Sequence, residues 1–67
     1  MEFNQIDKSA DYISECGNFK IFAVDMFKNM YYPMMRQGDM QDFPVIFKSV
    51  STEPVSFNEA KEIISNY

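Results

Sequence analysis

The side chains that usually carry out catalysis are scarce in this sequence. It contains no histidine and a single cysteine, Cys16. A cysteine becomes a nucleophile when a neighbouring base or a cationic surrounding favours its thiolate, and histidine is the most frequent base. The residues around Cys16 are typical of a short strand, so we expect a buried or partly buried structural thiol. The sequence therefore predicts a protein that is not an enzyme.

Two carboxylates, Asp39 and Asp42, form the closest acidic cluster outside the C-terminal segment. A D-x-x-D spacing supplies too few oxygens for calcium, which takes about 6–8. Acidic residues between strands commonly serve turn geometry and solubility. The two glycines, Gly17 and Gly38, match no phosphate-binding pattern. We therefore expect neither a metal nor a cofactor.

The segment of residues 26–36 is rich in the residue types found where proteins meet. Tyr, Met and Arg are enriched at interfaces because they bury large areas and still offer polar groups. In so small a chain the same residues could all be core, but a single helix cannot cover both faces of such a strand. We expect Arg36 and one of the two adjacent tyrosines to be the anchors. The candidate partner-binding residues are Tyr31, Tyr32, Met34, Arg36, Asp39 and Asp42.

These residues must be positioned by strands. Residues 11–16 are compatible with a short strand, and Gly17-Asn18 supplies a turn that tolerates positive φ. Residues 19–27 are aromatic and β-branched, which predicts the central strand of a hairpin. Alternation places Phe19, Ile21 and Ala23 on one face of it and Lys20, Phe22, Val24 and Met26 on the other.

The sequence predicts two further strands. A turn at residues 28–29 leads to a third strand, residues 30–36, whose Pro33 requires an edge position or a bulge because proline donates no backbone hydrogen bond. Residues 43–50 predict a last strand. Phe3 and Ile6 could dock as an arm or pair at a sheet edge.

The C-terminal segment carries a helix-start pattern. Ser56 and Glu59 have the spacing of a capping box, with Val55 and Ala60 as a hydrophobic staple. The helix should run over residues 57–66 with one apolar side. The predicted fold is one α+β domain, residues 1–67, with a small antiparallel sheet of three to four strands packed against the C-terminal helix.

Composition and charge narrow the function classes. A hydrophobic fraction of 46% with 24% charged residues is typical of a globular protein. The net charge of −4 favours a partner protein with a basic surface and makes direct nucleic-acid binding a poor fit. No signal peptide or apolar run of membrane-spanning length is recognisable, so we expect a cytoplasmic protein without a membrane partner.

Two alternatives remain at this point. Phe19 and Phe22 beside Lys20, with tyrosines nearby, could stack single-stranded bases, although the cations are few and acids are interspersed. An uncovered sheet face could instead pair with itself, so that a homodimer would bury the same surface with no outside partner.

The chain resembles, in general character, the small acidic proteins that bacteriophages and other mobile elements encode to block host machinery, such as anti-CRISPR and anti-restriction inhibitors. The resemblance rests on the short length, the negative charge, the missing catalytic residues, the aromatic hairpin of residues 19–36 and the single capped helix beginning at Ser56. It implies a stoichiometric inhibitor that occupies a basic surface of a host nuclease or other nucleic-acid-binding enzyme. The dispersed acids differ from the carboxylate rows of inhibitors that imitate DNA.

Overall fold

A computed structural model describes residues 2–6, 9–38 and 46–67. In these ranges the chain forms five strands, one 3₁₀ turn and one α-helix, which confirms the α+β class and exceeds the expected strand number. The elements are β1 (Phe3–Gln5), β2 (Tyr12–Ser14), β3 (Phe19–Asp25), the 3₁₀ turn (Met26–Lys28), β4 (Met30–Gln37), β5 (Ile46–Ser49) and α1 (Phe57–Ser65).

The five strands form one antiparallel sheet in sequence order, β1-β2-β3-β4-β5. Each strand pairs with its neighbour in the chain, so every connection can be short. β1 pairs with β2 at the sheet edge, with Phe3 opposite Ser14, which selects the edge-strand alternative for the N-terminal segment. The predicted turn between β2 and β3 contains Gly17 at a φ of +78°, where glycine carries no steric penalty.

Helix α1 packs against β3 and β4 on one face of the sheet. Ile21 of β3 and the helix residues Ala60 and Ile64 are fully buried and form the centre of the core. Such a core is thin, as expected for a chain of 67 residues. The half-buried residues packed around it are Phe3, Tyr12, Phe19, Tyr31, Val55 and Phe57.

The helix begins where the sequence predicted. Ser56 is the N-cap, and its Oγ accepts a hydrogen bond from the Glu59 amide at 3.2 Å. The Oδ1 of Asn29, which lies after the 3₁₀ turn, accepts from the Phe57 amide at 3.0 Å. Two of the helix's first amides, which have no partner within a helix, are thereby satisfied. The second of these bonds ties α1 to the β3–β4 connection.

Strand β3 is shorter than predicted because Asp25 starts a turn. Its carboxylate accepts hydrogen bonds from the amides of Phe27 and Lys28, at 3.1 and 3.3 Å. These bonds favour a 3₁₀ turn over continued strand pairing. Asn29 then adopts a left-handed conformation with φ of +54° and closes the connection, at the position where a turn was predicted.

The predicted edge position or bulge at Pro33 is wrong. β4 lies inside the sheet between β3 and β5, and Pro33 is fully buried opposite Ile21. The register irregularity of the β3–β4 pair lies elsewhere, between Ala23 and Asp25.

An internal proline is tolerated here because its nitrogen faces a gap in the pairing. Tyr31 exchanges two backbone hydrogen bonds with Val55, and the Pro33 carbonyl accepts from the Val50 amide at 2.9 Å. Backbone groups of alternate residues point to the same side of a strand. The Pro33 nitrogen therefore points between the end of β5 at Ser49 and the Val55 bridge, where no ladder acceptor is required of it.

Candidate interaction surface

The side of the sheet opposite α1, called here the helix-free face, is defined by strand register. Residues directly opposite each other in antiparallel strands point to the same side, as do residues two apart along one strand. Lys20 pairs with Ile13 and Met34, Phe22 pairs with Tyr32, and Arg36 pairs with Phe47. The helix-free face thus carries Asn4, Ile13, Lys20, Phe22, Tyr32, Met34, Arg36, Phe47 and Ser49.

The two adjacent tyrosines fall on opposite faces. Tyr31 lies opposite Ala23 on the helix side, and its ring centroid is 5.3 Å from that of Phe57. Tyr32 lies opposite Phe22 on the helix-free face, and both tyrosines are half-buried. Tyr32 is therefore the tyrosine available as an anchor beside Arg36, and we leave Tyr31 out of the candidate surface.

Lys20 lies among aromatic rings on this face. Its Nζ is 5.8 Å from the centroid of Phe22 and 5.7 Å from that of Phe47. Both distances are within the range of a cation–π contact. The same Nζ is 3.9 Å from the Asp11 Oδ2, and both side chains are partly exposed. The lysine therefore spans the sheet from Asp11 towards β5 and lies against the two rings.

Asp11 also completes the sheet where β2 ends. Its Oδ1 accepts a hydrogen bond from the Ala23 amide at 2.8 Å. The last β2–β3 pair on that side is Tyr12 with Ile21, so the carboxylate replaces a backbone acceptor that the short β2 does not provide. Asp11 thus contacts both the Ala23 amide, which lies beside the helix-free face, and Lys20, which lies on that face.

The charge of the helix-free face differs from that of the whole chain. The net charge is −4, yet strand register places Lys20 and Arg36 on this face, where the Asp11 carboxylate lies 3.9 Å from the Lys20 Nζ. The exposed acids among the described residues are Glu2, Glu15, Glu53, Glu59 and Glu62. A partner would therefore meet an aromatic face that carries Arg36 and the Lys20–Asp11 pair, on a molecule whose net charge is negative.

The predicted site residues separate into three groups. Tyr32, Met34 and Arg36 share the helix-free face, whereas Tyr31 packs on the helix side. Asp39 and Asp42 lie outside the described residues.

A second surface, the hairpin tip, was not among the predicted site residues, although Met26 and Phe27 belong to the segment of residues 26–36. It consists of the exposed apolar residues Val24, Met26 and Phe27 at the β3–β4 connection. Phe27 is 93% exposed. Asp25 could have indicated the hairpin tip in the sequence, because an aspartate often accepts hydrogen bonds from the amides two and three residues later and so begins a turn. Such a turn removes Phe27 from the strand and from the core.

The expectation of a buried or partly buried strand thiol at Cys16 is wrong. Cys16 is exposed and lies in the turn after β2. A hydrogen-bonding contact with the Ser14 Oγ at 3.3 Å lowers the pKa of the Cys16 thiol, and a backbone hydrogen bond from Asn18 lowers it further. Hydrogen bonds to the thiolate favour the charged form. The β2 strand ends at the buried Ser14, so the chain turns outward before the cysteine.

Residues 2–6, 9–38 and 46–67 do not form a metal site, a pocket or a membrane-spanning helix. In these ranges no three His, Cys, Asp or Glu side chains are grouped for a metal ion, no pocket is found, and no helix is long and apolar enough to span a bilayer. The features present there are the helix-free face and the hairpin tip.

The chain was compared with known proteins at three levels. No family model, no curated protein sequence and no solved structure matches it.

Proposed function

We propose that this chain is a small non-catalytic protein-binding inhibitor or adaptor that contacts its partner through the helix-free face. The observation that supports this proposal is the composition of that face. Three aromatic residues, a methionine and an arginine lie together on the side of the sheet that α1 does not cover. Phe22, Tyr32 and Arg36 belong to the residue types that dominate protein-binding energy or are enriched at interfaces.

The geometry of the face suits such contacts. Neighbouring side chains on a sheet face are roughly 4.5–5.5 Å apart at Cβ, so the pairs Phe22–Tyr32 and Arg36–Phe47 form a continuous surface. The strands hold these side chains in place before binding, which reduces the entropy lost on association. A preformed aromatic surface of this kind is therefore expected to bind with little backbone rearrangement.

The net charge indicates which partner would approach. A charge of −4 attracts a protein with a basic surface, and this attraction acts over a Debye length of ~8 Å at physiological salt. In line with the resemblance to mobile-element inhibitors, we propose a host nuclease or other nucleic-acid-binding enzyme as the target and the host cytoplasm as the location. Long-range attraction would come from the exposed acids, and short-range contact from the aromatic face.

Affinity capture with the tagged chain tests this proposal. Lysate of the natural host is treated with nuclease, captured at two salt concentrations and analysed by mass spectrometry. A stoichiometric protein that survives nuclease treatment is expected with the wild type. Substitution Tyr32→Ala should weaken its capture on the order of 10- to 30-fold, as for an interface hot spot.

The matched control is Tyr67→Ala, which removes an exposed tyrosine from the end of the helix, away from the helix-free face. The control variant should capture the partner as the wild type does. Equal loss with both variants, or capture that disappears on nuclease treatment, would refute a protein contact through this face.

A second candidate function is supported by one observation. Lys20 and Arg36 lie among Phe22, Tyr32 and Phe47, the combination of cations and rings on which single-stranded nucleic acids stack. Fluorescence anisotropy with a labelled single-stranded oligonucleotide tests it. This function predicts binding that falls steeply with salt, and an absence of binding at low salt would eliminate it.

A further inference from the structure

We propose that Phe27 at the hairpin tip is a second anchor, which inserts into an apolar pocket of the partner protein. This inference rests on the proposed protein-binding function and adds a contact outside the helix-free face. Phe27 is 93% exposed, whereas Met26 and Val24 beside it are 53% and 46% exposed. A large aromatic side chain left in water is unfavourable for the free protein, and exposed apolar clusters commonly mark interaction sites.

The tip holds Phe27 in one position. The Asp25 carboxylate accepts from the Phe27 amide at 3.1 Å, and the Asn29 amide donates to the Met26 carbonyl at 3.3 Å. Asn29 in turn accepts from the Phe57 amide of α1. The turn is thus closed on itself and attached to the helix. A fixed backbone at an exposed aromatic residue lowers the entropy lost on binding.

The charges disfavour a membrane as the partner of the tip. Stable binding of a peripheral protein to an anionic bilayer draws on clusters of basic residues. The tip carries one cation, Lys28, next to the Asp25 carboxylate, and the whole chain carries −4. Repulsion from anionic headgroups therefore acts against the insertion of Phe27.

The available area disfavours a second copy joined tip to tip. A buried aromatic side chain covers roughly 150–250 Å². Even if Val24, Met26 and Phe27 each buried ~250 Å², the total would stay below the ~800 Å² per partner of a standard stable interface. A contact between two tips would thus be too small on its own. Insertion into a pocket, by contrast, surrounds Phe27 and buries the pocket walls as well.

These constraints define the partner's chemistry. We infer a protein pocket of the size of one aromatic ring, lined by apolar side chains. Because the tip carries both Lys28 and the Asp25 carboxylate, the apolar ring of Phe27 and not a net charge defines this contact. Such a pocket lies beside the surface that receives the helix-free face, since Phe22 and Val24 continue from that face to the tip.

The first experiment is capture by the variants Phe27→Ala and Phe27→Leu, with Tyr67→Ala as the control at another exposed ring. Phe27→Ala should weaken capture of the wild-type partner on the order of 10- to 30-fold, whereas Phe27→Leu should retain most of it. Both Phe27 variants should melt as the wild type does, because Phe27 is exposed, and Tyr67→Ala should melt at most slightly lower, because the Tyr67 ring centroid lies 6.4 Å from that of Phe19. Unchanged capture by Phe27→Ala, with Tyr32→Ala still defective, would overturn this inference and leave the proposed function standing.

The second experiment identifies the occupant. A photoreactive benzoylphenylalanine at position 27 is irradiated with the captured partner, with the protein alone, and with vesicles of phosphatidylserine and phosphatidylcholine. A crosslink to apolar residues of the partner is the expected result. A crosslink to a second copy, or sedimentation with the vesicles that Phe27→Ala abolishes, would overturn the inference. If the wild type captures no protein, this inference and the proposed function both fail.

Discussion

Several individual polar side chains in this protein replace backbone partners where the sheet is short. Asp11 accepts from Ala23 beyond the end of β2, the buried Ser14 accepts from the Phe19 amide, and Asn29 accepts from Phe57 at the helix start. A buried amide without a partner costs about 1–3 kcal/mol. In a domain whose core supplies only ~3–5 kcal/mol, each of these residues matters for folding.

Asp11 offers the clearest test at this scale. The variant Asp11→Ala should lower the free energy of unfolding by about 1–3 kcal/mol, because the Ala23 amide loses its acceptor. The variant Asp11→Asn keeps an oxygen acceptor and should lose less. Urea denaturation followed by circular dichroism measures both.

The variant Lys20→Met is the control, because it removes the ion pair with Asp11 and keeps the hydrogen bond from the Ala23 amide to Asp11. The Asp11–Lys20 pair is partly exposed, so removing it should change stability by at most about 1 kcal/mol. A larger effect for Lys20→Met than for Asp11→Ala would contradict the account, since it would place the stabilisation in the ion pair and not in the backbone bond.

Cys16 makes a prediction about pH. Its thiol pKa is lowered in the folded protein by the contact with Ser14 and the hydrogen bond from Asn18. Thiolate absorbance should therefore appear at lower pH in the folded protein than in urea. A pKa that is depressed by folding contributes stability above the unfolded-state pKa, and this contribution is lost as pH falls through the folded-state value.

Between the folded-state and unfolded-state pKa values of the Cys16 thiol, the free energy of unfolding should therefore rise with pH. The variant Cys16→Ser should remove this rise. Coincident thiol titrations in the folded and unfolded protein would show that the hydrogen bonds at the turn do not act on Cys16.

At the scale of elements, the central test concerns the two sides of β4. Tyr31 packs on Phe57 under the helix, and Tyr32 lies on the helix-free face. Tyr31→Ala should lower the free energy of unfolding by less than the value of about 3–5 kcal/mol for a fully buried aromatic truncation, because Tyr31 is half-buried, but still remove much of the stability of so small a domain. Tyr32→Ala should cost clearly less and leave a folded domain.

Circular dichroism during thermal and urea denaturation measures both variants under the same conditions. Equal destabilisation, or a greater loss for Tyr32→Ala, would mean that the helix does not cover the face on which Tyr31 lies.

The strands and the capped helix could be predicted from the sequence because their signals are local. Alternation in β3 and the Ser56 cap depend only on neighbouring residues, and both are confirmed. Alternation also places Tyr31 and Tyr32 on opposite faces, but which face is covered depends on where α1 docks. That docking is a long-range event, so the pattern left the choice of tyrosine open.

The two errors in the fold have the same origin. Pro33 required an edge or a bulge only if each side of β4 was continuously paired, and the gap between Ser49 and Val55 could not be seen in β4 itself. Cys16 was assigned to a strand by composition, whereas β2 ends at Ser14. In both cases the partner segment, and not the residue's own neighbours, decides the structure.

At the scale of the whole molecule, charge and contact surface are separate. The chain carries −4, while the helix-free face presents Arg36 and Lys20, the latter beside the Asp11 carboxylate. Electrostatic steering acts through the total field and mainly changes the association rate, whereas buried contacts mainly change the dissociation rate. The two contributions can therefore be measured independently once the partner is captured.

Charge reversal at Asp39 and Asp42 is the corresponding prediction. The double variant Asp39→Lys, Asp42→Lys changes the net charge from −4 to 0, since each substitution adds two charge units. Association with a basic partner should slow markedly at low salt and approach the wild-type rate at high salt. Surface plasmon resonance at two salt concentrations measures this, and a rate that is insensitive to both changes would exclude steering.

Self-association is the alternative for the molecule as a whole, because a homodimer through the helix-free face would bury the same residues. Sedimentation velocity over a range of concentrations separates the two cases. A monomer at all concentrations leaves the face available to another protein, whereas a stable dimer would occupy it.

The most direct test of the central claim compares two adjacent methionines on opposite faces. Met34 lies opposite Lys20 on the helix-free face, and Met35 lies opposite Phe19 on the helix side. Methionine-methyl NMR of the ¹³C-labelled protein, titrated with the captured partner, should shift or broaden the Met34 signal and leave Met35 nearly unchanged. A perturbed Met35 signal with an unaffected Met34 signal would contradict binding through the helix-free face.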